Sequence, residues 1–176
     1  GGAERVFLDL TYLLLNENLQ IDTLLISGRG ALYENIDSRC GTYFLNRKNK
    51  YSLFKMFECA AVCSTYSIIH IHMRHTYAYV KLAQLLSFKK FTIIFHDHNN
   101  KIDTIPFSLK GLFKPMFYIG VSQQLIEWAV SKLKMDKKKT FLLRNIIIPS
   151  NNFVEKNSRN DLVMVSNISP VKNIEF

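Results

Sequence analysis

Five histidines fall into two short groups near the middle of the chain: His70, His72 and His75, then His96 and His98. His70 and His72 lie two residues apart in an apolar run, so on a strand their side chains point to the same face. His72 and His96 each end an apolar run, and parallel sheets bind ligands outside the carboxyl ends of their strands. Three hypotheses fit this pattern: a metal site, a contact to sugar or phosphate, and structural histidines in a crowded loop.

Carboxylates that could complete a metal site are few in this region, Asp97 and Asp103 being the close ones. Their scarcity counts against the metal hypothesis. Asp97 directly follows His96, and a carboxylate beside an imidazole can orient it or stabilise its charge. We therefore expect Asp97 to act on His96, while spacing alone leaves the three hypotheses open.

A glycine pair, Gly1 and Gly2, stands directly before an amphipathic helical pattern. Two glycines let a ligand approach the backbone, and the amides and dipole of a helix N-terminus favour an anion such as phosphate. In a doubly wound sheet such a pair normally follows the first strand. We therefore expect a strand before Gly1 in the parent protein.

Apolar periodicity predicts the elements that must position these residues. Helices are predicted over 3–17, 51–64, 75–86 and 122–134, and strands over 21–26, 42–45, 67–72, 91–96, 116–121 and 140–143. In the second helix, an apolar or small-residue stripe forms the predicted core face: Leu53, Phe57, Ala60, Ala61 and Ser64. Ser122 is a predicted N-cap of the fourth helix. Strands alternating with helices predict a Rossmann-like α/β layer, a parallel sheet with helices on both faces.

The composition, 48% apolar and 21% charged, is typical of a soluble globular protein. Its three cysteines are expected to be buried free thiols in a reducing compartment. A net charge of +9 suits an anionic partner. Basic and aromatic residues are not interleaved on a strand face, so we expect no nucleic-acid partner. The amphipathic stretch 107–114 and the lysines between 132 and 139 suit an anionic membrane or a solvated surface.

Six segments, in order, resemble glycosyltransferase family 4, a GT-B family of retaining enzymes that use activated sugars. They are Gly1-Gly2-Ala3-Glu4-Arg5, Ile68 to His72, Ile93 to Asp97, Ile119 to Ser122, Leu143-Arg144-Asn145, and Val165 to Asn173. The resemblance implies domains at 1–145 (acceptor-binding, Rossmann-like), 146–160 (linker) and 161–176 (start of the donor domain).

The same resemblance implies roles at the matched positions. His96 is the expected catalytic residue, near the reacting anomeric carbon. Lys172 is expected to neutralise the donor phosphates, an electrostatic role suited to a fixed cation. The remaining residues expected to bind donor or acceptor are Gly1, Gly2, His72, Asp97 and Asn145. Neither a metal nor another cofactor is implied.

The resemblance thus predicts a retaining glycosyltransferase of the hexosyltransferase type. The donor is a nucleotide-diphosphate sugar and the acceptor a glycan or lipid-linked molecule of bacterial cell-surface polysaccharide synthesis. The predicted location is cytoplasmic, peripheral on the inner membrane face, and the isolated chain is expected to be inactive because its cleft has one wall. Two alternatives stay open: a metal-dependent hydrolase using His70, His72 and His96, and a non-catalytic partner domain of a transferase.

Overall fold

A computed structural model describes residues 2–27, 30, 32–49, 52–99, 102 and 104–146. The helices in these parts of the chain are α1 (Gly2–Asn16), α2 (Leu53–Cys63), α3 (Arg74–Ser87) and α4 (Gln123–Ser131). The strands are β1 (Asp22–Leu25), β2 (Gly41–Phe44), β3 (Ile68–Ile71), β4 (Thr92–Asp97), β5 (Phe117–Gly120) and β6 (Thr140–Leu142). None of these helices combines the length and the apolar character needed to cross a membrane.

Every strand pairing within the described residues is parallel. β1 and β2 form a two-stranded sheet, and β3, β4, β5 and β6 form a second sheet in chain order. Its register sets His70 beside Ile94 and Asp97 beside Gly120. The helices α3 and α4 connect parallel neighbours, as crossover connections do. The predicted parallel α/β architecture is confirmed.

Helices contact both faces of the four-stranded sheet. On one face, Tyr77 of α3 packs against Phe95 of β4, with ring centroids 4.7 Å apart. On the other face, Phe7 of α1 meets His72 edge to face, with ring centroids 5.6 Å apart. Phe95 and Tyr118 have no solvent exposure. The core thus reaches the carboxyl end of β4, which lies between β3 and β5.

The prediction for the buried face of α2 is right for Ala60 and wrong for Leu53 and Phe57. Leu53 and Phe57, predicted to face the core, are 60% and 50% exposed. The residues that α2 buries are Met56, Cys59, Ala60 and Cys63. Cysteine is among the most buried residue types and methionine fills irregular gaps, so these two types define the core face better than the larger leucine and phenylalanine. The cysteines are buried free thiols, as predicted.

The start of α4 agrees with the prediction. The Ser122 hydroxyl accepts a hydrogen bond from the Leu125 backbone N–H at 3.3 Å, which satisfies one of the unpaired amides of the first turn. α4 therefore begins directly after β5, and its first turn lies close to the end of that strand.

Candidate functional site

A cavity of about 280 Å³ lies at the carboxyl ends of β3 and β4. Residues of α1, α3 and β4 and of the segments that follow β3 and β4 border it, among them Ala3, His72, Arg74, Asp97 and His98. Ala3 belongs to the first turn of α1 and Arg74 begins α3, so two helix N-termini and two strand ends meet here. This is the edge at which parallel α/β sheets bind ligands.

Four histidines form a cluster at this edge. His70, His72, His96 and His98 occupy alternate positions, so their side chains lie on the same face of the sheet. The ring centroids of His70 and His72 are 4.5 Å apart, those of His96 and His98 4.2 Å, and those of His72 and His96 5.0 Å. The His72 Nδ1 and His98 Nε2 atoms are 3.2 Å apart, within hydrogen-bond distance. The prediction that His70 and His72 share a face is confirmed.

Burial keeps these imidazoles neutral. Loss of solvent, reinforced by the neighbouring imidazoles, lowers the pKa of His70 to about 4, that of His72 to about 2 and that of His96 to about 3. Burial also lowers the pKa of His98, which the Asp97 carboxylate partly counteracts. At neutral pH each ring therefore offers one N–H donor and one lone pair.

Several ring nitrogens of the cluster are buried without a hydrogen-bond partner among the described residues. They are His70 Nε2, His98 Nδ1 and both nitrogens of His96, whose side chain is fully enclosed. The Leu143 backbone lies near enough to His96 to raise its pKa slightly, but it makes no hydrogen bond of proper geometry to either ring nitrogen. Because buried polar atoms are nearly always paired, these nitrogens require partners of another kind, either ordered water or a bound ligand.

Asp97 belongs to a different network, on the opposite face of the sheet. Its carboxylate accepts hydrogen bonds from Arg74 Nη2 at 2.7 Å, from the Tyr118 hydroxyl at 3.0 Å and from the Asn99 backbone N–H at 3.0 Å. The Asp97 side chain is 1% exposed and that of Arg74 14%. The expectation that Asp97 orients His96 is therefore wrong, because adjacent residues of a strand point to opposite faces.

Sequence reasoning missed Arg74 as a residue of the site. Its guanidinium lies 5.3 Å from the centre of the Trp128 ring and pairs with Asp97 at the cavity wall. The sequence contained one signal for this pair. Asp97 ends a buried strand, and a buried carboxylate is rarely found without a cation as partner. Arg74 is a cation that closely follows the end of the preceding strand.

The other predicted site residues are Gly1, Gly2, Asn145 and Lys172, and of these Gly2 is adjacent to a residue that lines the cavity. Gly2 is exposed and begins α1, next to the cavity-lining Ala3. Asn145 is exposed and follows β6, and it is not among the residues that line the cavity. Gly1 and Lys172 lie outside the described residues, as do the predicted linker beyond residue 146 and the predicted donor-domain start at 161–176.

Comparison with known proteins finds a structural likeness. No protein-family model matches the chain, and no curated protein matches it in sequence. Among solved structures, the chain is similar to HepE of Anabaena, crystallised in complex with UDP and glucose, with a TM-score of 0.55 and 13% sequence identity. The match covers 82% of this chain and 41% of the HepE chain, so the chain spans less than half of HepE. The likeness confirms the Rossmann-like fold.

Proposed function

We propose that this chain is the acceptor-side domain of a GT-B glycosyltransferase. The enzyme transfers a sugar from a nucleotide-diphosphate donor to a glycan or lipid-linked acceptor. The observation that carries the proposal is the cavity at the carboxyl ends of β3 and β4, in a fold similar to that of a protein crystallised with UDP and glucose. The order of sequence motifs favours family 4 within the GT-B enzymes, and with it retention of anomeric configuration and no cofactor.

The N-terminus of α1 supports a role in binding a phosphorylated donor. Gly2 is exposed, and a Cβ atom added there would meet no heavy atom within 4 Å. Packing therefore does not require a glycine at this position, whereas close approach of a ligand does. The helix dipole and the first-turn amides favour an anion. Gly1 and Lys172 complete the proposed phosphate contacts.

His72 and His98 line the cavity, so we assign the contacts with sugar hydroxyls to their neutral imidazoles. His96 has no solvent exposure and does not line the cavity, although its ring lies next to those of His72 and His98. Its proposed catalytic contact with the donor sugar therefore requires the His72 and His98 rings to rotate. Asp97 serves the site through Arg74, whose guanidinium it fixes at the cavity wall. Asn145, which follows β6, is assigned a contact with donor or acceptor.

A basic, partly apolar surface supports a membrane-bound acceptor. Phe107 is 79% exposed and Leu112 77%, in two consecutive 3-10 helices on either side of the exposed Lys110. Aromatic and aliphatic side chains next to lysine suit the headgroup region of an anionic membrane. Together with the net charge of +9, this surface fits an enzyme bound peripherally to the cytoplasmic face of a bacterial inner membrane and a lipid-linked acceptor.

The test is sugar transfer by the full-length gene product that contains this chain. Membrane extract supplies the acceptor, and a panel of radiolabelled nucleotide-diphosphate sugars supplies the donor. We expect one donor to label a lipid-extractable product. His72→Ala and His98→Ala should each lower kcat/KM by more than ~100-fold, the range for loss of a positioned catalytic or binding group.

Lys89→Ala is the matched control, because Lys89 is exposed and follows the end of α3, at the opposite edge of the sheet. It should retain full activity. Failure of every donor to label a product, with the fold intact, contradicts the proposal. Full activity in His72→Ala, His98→Ala and His96→Ala would favour the alternative of a non-catalytic docking domain.

A further inference from the structure

We propose that His70, His72 and His96 together bind one divalent transition-metal ion of the zinc type. The site lies at the carboxyl ends of β3 and β4, on the face of the sheet that α1 contacts. Each of the three side chains offers one ring nitrogen, and these nitrogens all lie within 4.8 Å of one another. This proposal assigns His72 and His96 to a metal ion rather than to a sugar, so it concerns the protein free of nucleotide sugar.

The first argument is the number of unpaired nitrogens. His70 Nε2 and both ring nitrogens of His96 are buried, and none has a hydrogen-bond partner among the described residues. Each such atom costs about 1–3 kcal/mol if nothing pairs with it. A metal ion would bind the lone pairs of His70 and His96 directly, and would so remove most of the free-energy cost of these unpaired nitrogens.

The second argument is the kind of ligand that the cluster provides. Its ligands are neutral imidazoles, and the nearest carboxylate in sequence, that of Asp97, is turned to the other face and paired with Arg74. Mg²⁺ and Ca²⁺ require oxygen ligands, whereas zinc, copper and nickel accept imidazole nitrogen. Three protein ligands leave the fourth position of a tetrahedral ion to water, the arrangement of zinc sites that remain open to a further ligand.

The third argument is that the ligands can reach tetrahedral geometry by side-chain rotation. Zn–N distances of about 2.0–2.1 Å place the ligand nitrogens about 3.3 Å apart. The present separations, all within 4.8 Å, must therefore shrink by at most about 1.5 Å. The rings are now stacked, with 28° between the planes of His70 and His72 and 17° between those of His70 and His96. Rotation about the broad terminal torsion of histidine turns their nitrogens toward a common point while the strands stay in place.

His98 completes the arrangement from outside. Its Nε2 lies 3.2 Å from Nδ1 of His72. When His72 binds a metal through Nε2, its Nδ1–H can donate to His98, and such a partner fixes the orientation and tautomer of a ligating histidine. His98 is thus a positioning residue for the site, and its side chain also borders the cavity.

The experiment measures zinc on the purified chain, without nucleotide sugar and after removal of any polyhistidine tag. The protein is stripped with a chelator, equilibrated with Zn²⁺ and assayed for bound metal by mass spectrometry, and its affinity is measured by competition with a chromophoric chelator. We expect one zinc ion per chain. Co²⁺ should give the visible absorption of a tetrahedral site.

His70→Ala and His96→Ala should each weaken zinc binding by more than ~100-fold, a larger effect than the 10–100-fold usual for loss of a second-shell partner. His75→Ala is the matched control, because His75 is an exposed histidine in the first turn of α3 outside the cluster. It should bind zinc like the wild type. His70→Gln and His96→Gln, which keep more of the side-chain volume, replace any alanine variant whose circular dichroism shows loss of fold.

Two results would overturn the proposal. The first is a wild-type chain that retains less than about 0.1 equivalent of zinc after equilibration with the metal. The second is zinc binding that survives unchanged in the His70 and His96 variants, which would place the ion elsewhere. Neither result depends on whether the parent protein transfers sugar, so the two proposals fail separately.

Discussion

At the scale of single residues, a substitution at Gly2 distinguishes a role in ligand binding from a role in packing. Its added Cβ would meet nothing within 4 Å, and alanine is a better helix former than glycine. We expect Gly2→Ala to leave the free energy of unfolding unchanged within about 1 kcal/mol. If a donor phosphate approaches this backbone, the same variant should weaken nucleotide-sugar binding about 10-fold, equivalent to about 1.4 kcal/mol. Urea denaturation and calorimetric titration of the full-length protein measure the two effects.

Gly30→Ala is the control for Gly2→Ala, because an added Cβ at Gly30 also meets no atom within 4 Å. It should change neither stability nor binding. Nucleotide-sugar affinity equal to that of the wild type in Gly2→Ala would contradict a role for the α1 N-terminus in donor binding.

The residues of the site could be predicted in part from their spacing. Alternation along β3 was enough to place His70 and His72 on one face. The partner of Asp97 was mispredicted because proximity in sequence was taken for proximity in space, although neighbours along a strand point apart. The full burial of His96 could not be predicted from the sequence either, since it depends on how β3, β4 and α1 pack together.

At the scale of the elements, the pair Asp97–Arg74 joins the end of β4 to the start of α3. Asp97→Asn leaves the guanidinium of Arg74, 14% exposed, without its counter-charge. Breaking a buried ion pair from one side costs about 3–5 kcal/mol. We expect a loss in the free energy of unfolding near the lower end, about 3 kcal/mol, because asparagine keeps one hydrogen-bond acceptor. Urea denaturation at neutral pH measures it.

Asp37→Asn provides the comparison, since Asp37 pairs with Arg39 on the surface, where the Arg39 side chain is 48% exposed. Exposed pairs contribute little, so this variant should unfold much like the wild type. Equal effects of Asp97→Asn and Asp37→Asn would mean that the network at the cavity wall does not stabilise the fold.

Gly120 controls how closely α4 approaches β5. A Cβ atom added at Gly120 would lie 3.0 Å from both Leu125 Cβ and Ile126 Cδ1. The Leu125 atom is fixed to the helix backbone, so α4 or β5 must shift. We expect Gly120→Ala to lower the free energy of unfolding by about 1–3 kcal/mol, the usual cost of overpacking. Thermal or urea denaturation checks this, and stability equal to that of Gly30→Ala would contradict it.

Periodicity predicted which elements exist better than which faces they bury. The bounds of β3, β4, β5 and α4 deviate from the predicted ranges by a few residues at most. The core face of α2 was predicted only in part, because the exposed Leu53 and Phe57 are as apolar as the residues that α2 buries, and packing rather than hydropathy decides between them. The division into two sheets was not visible either, because the pairing of β1 with β2 depends on contacts distant in sequence.

At the scale of the whole molecule, the chain spans 41% of the HepE chain to which it is similar. If the proposed GT-B architecture holds, the donor site needs a second domain that faces this one. We therefore expect the isolated 176-residue chain to transfer no sugar under conditions in which the full-length gene product does. Transfer by the isolated chain at a comparable rate would contradict this prediction.

The histidine cluster should also make the folded state sensitive to acid. The pKa values of His70, His72 and His96 lie at about 4, 2 and 3, below the ordinary histidine value of 6.5. Between that value and the folded values, the unfolded chain binds protons that the folded chain excludes. Stability is therefore complete above about pH 6.5 and falls as the pH decreases. At pH 5 each of the three contributes a loss of about 2 kcal/mol.

Urea denaturation at pH 8 and pH 5 measures this loss, with a chelator present so that no metal holds the imidazoles. Burial lowers the pKa of His98 as well, so this residue adds to the loss in the same direction. His70→Gln removes one of the titrating groups and should reduce the pH dependence by about 2 kcal/mol, whereas His75→Ala should leave that contribution of the cluster in place. Equal stability at both pH values would contradict this prediction, because it would mean that the imidazoles accept protons as readily in the folded as in the unfolded state.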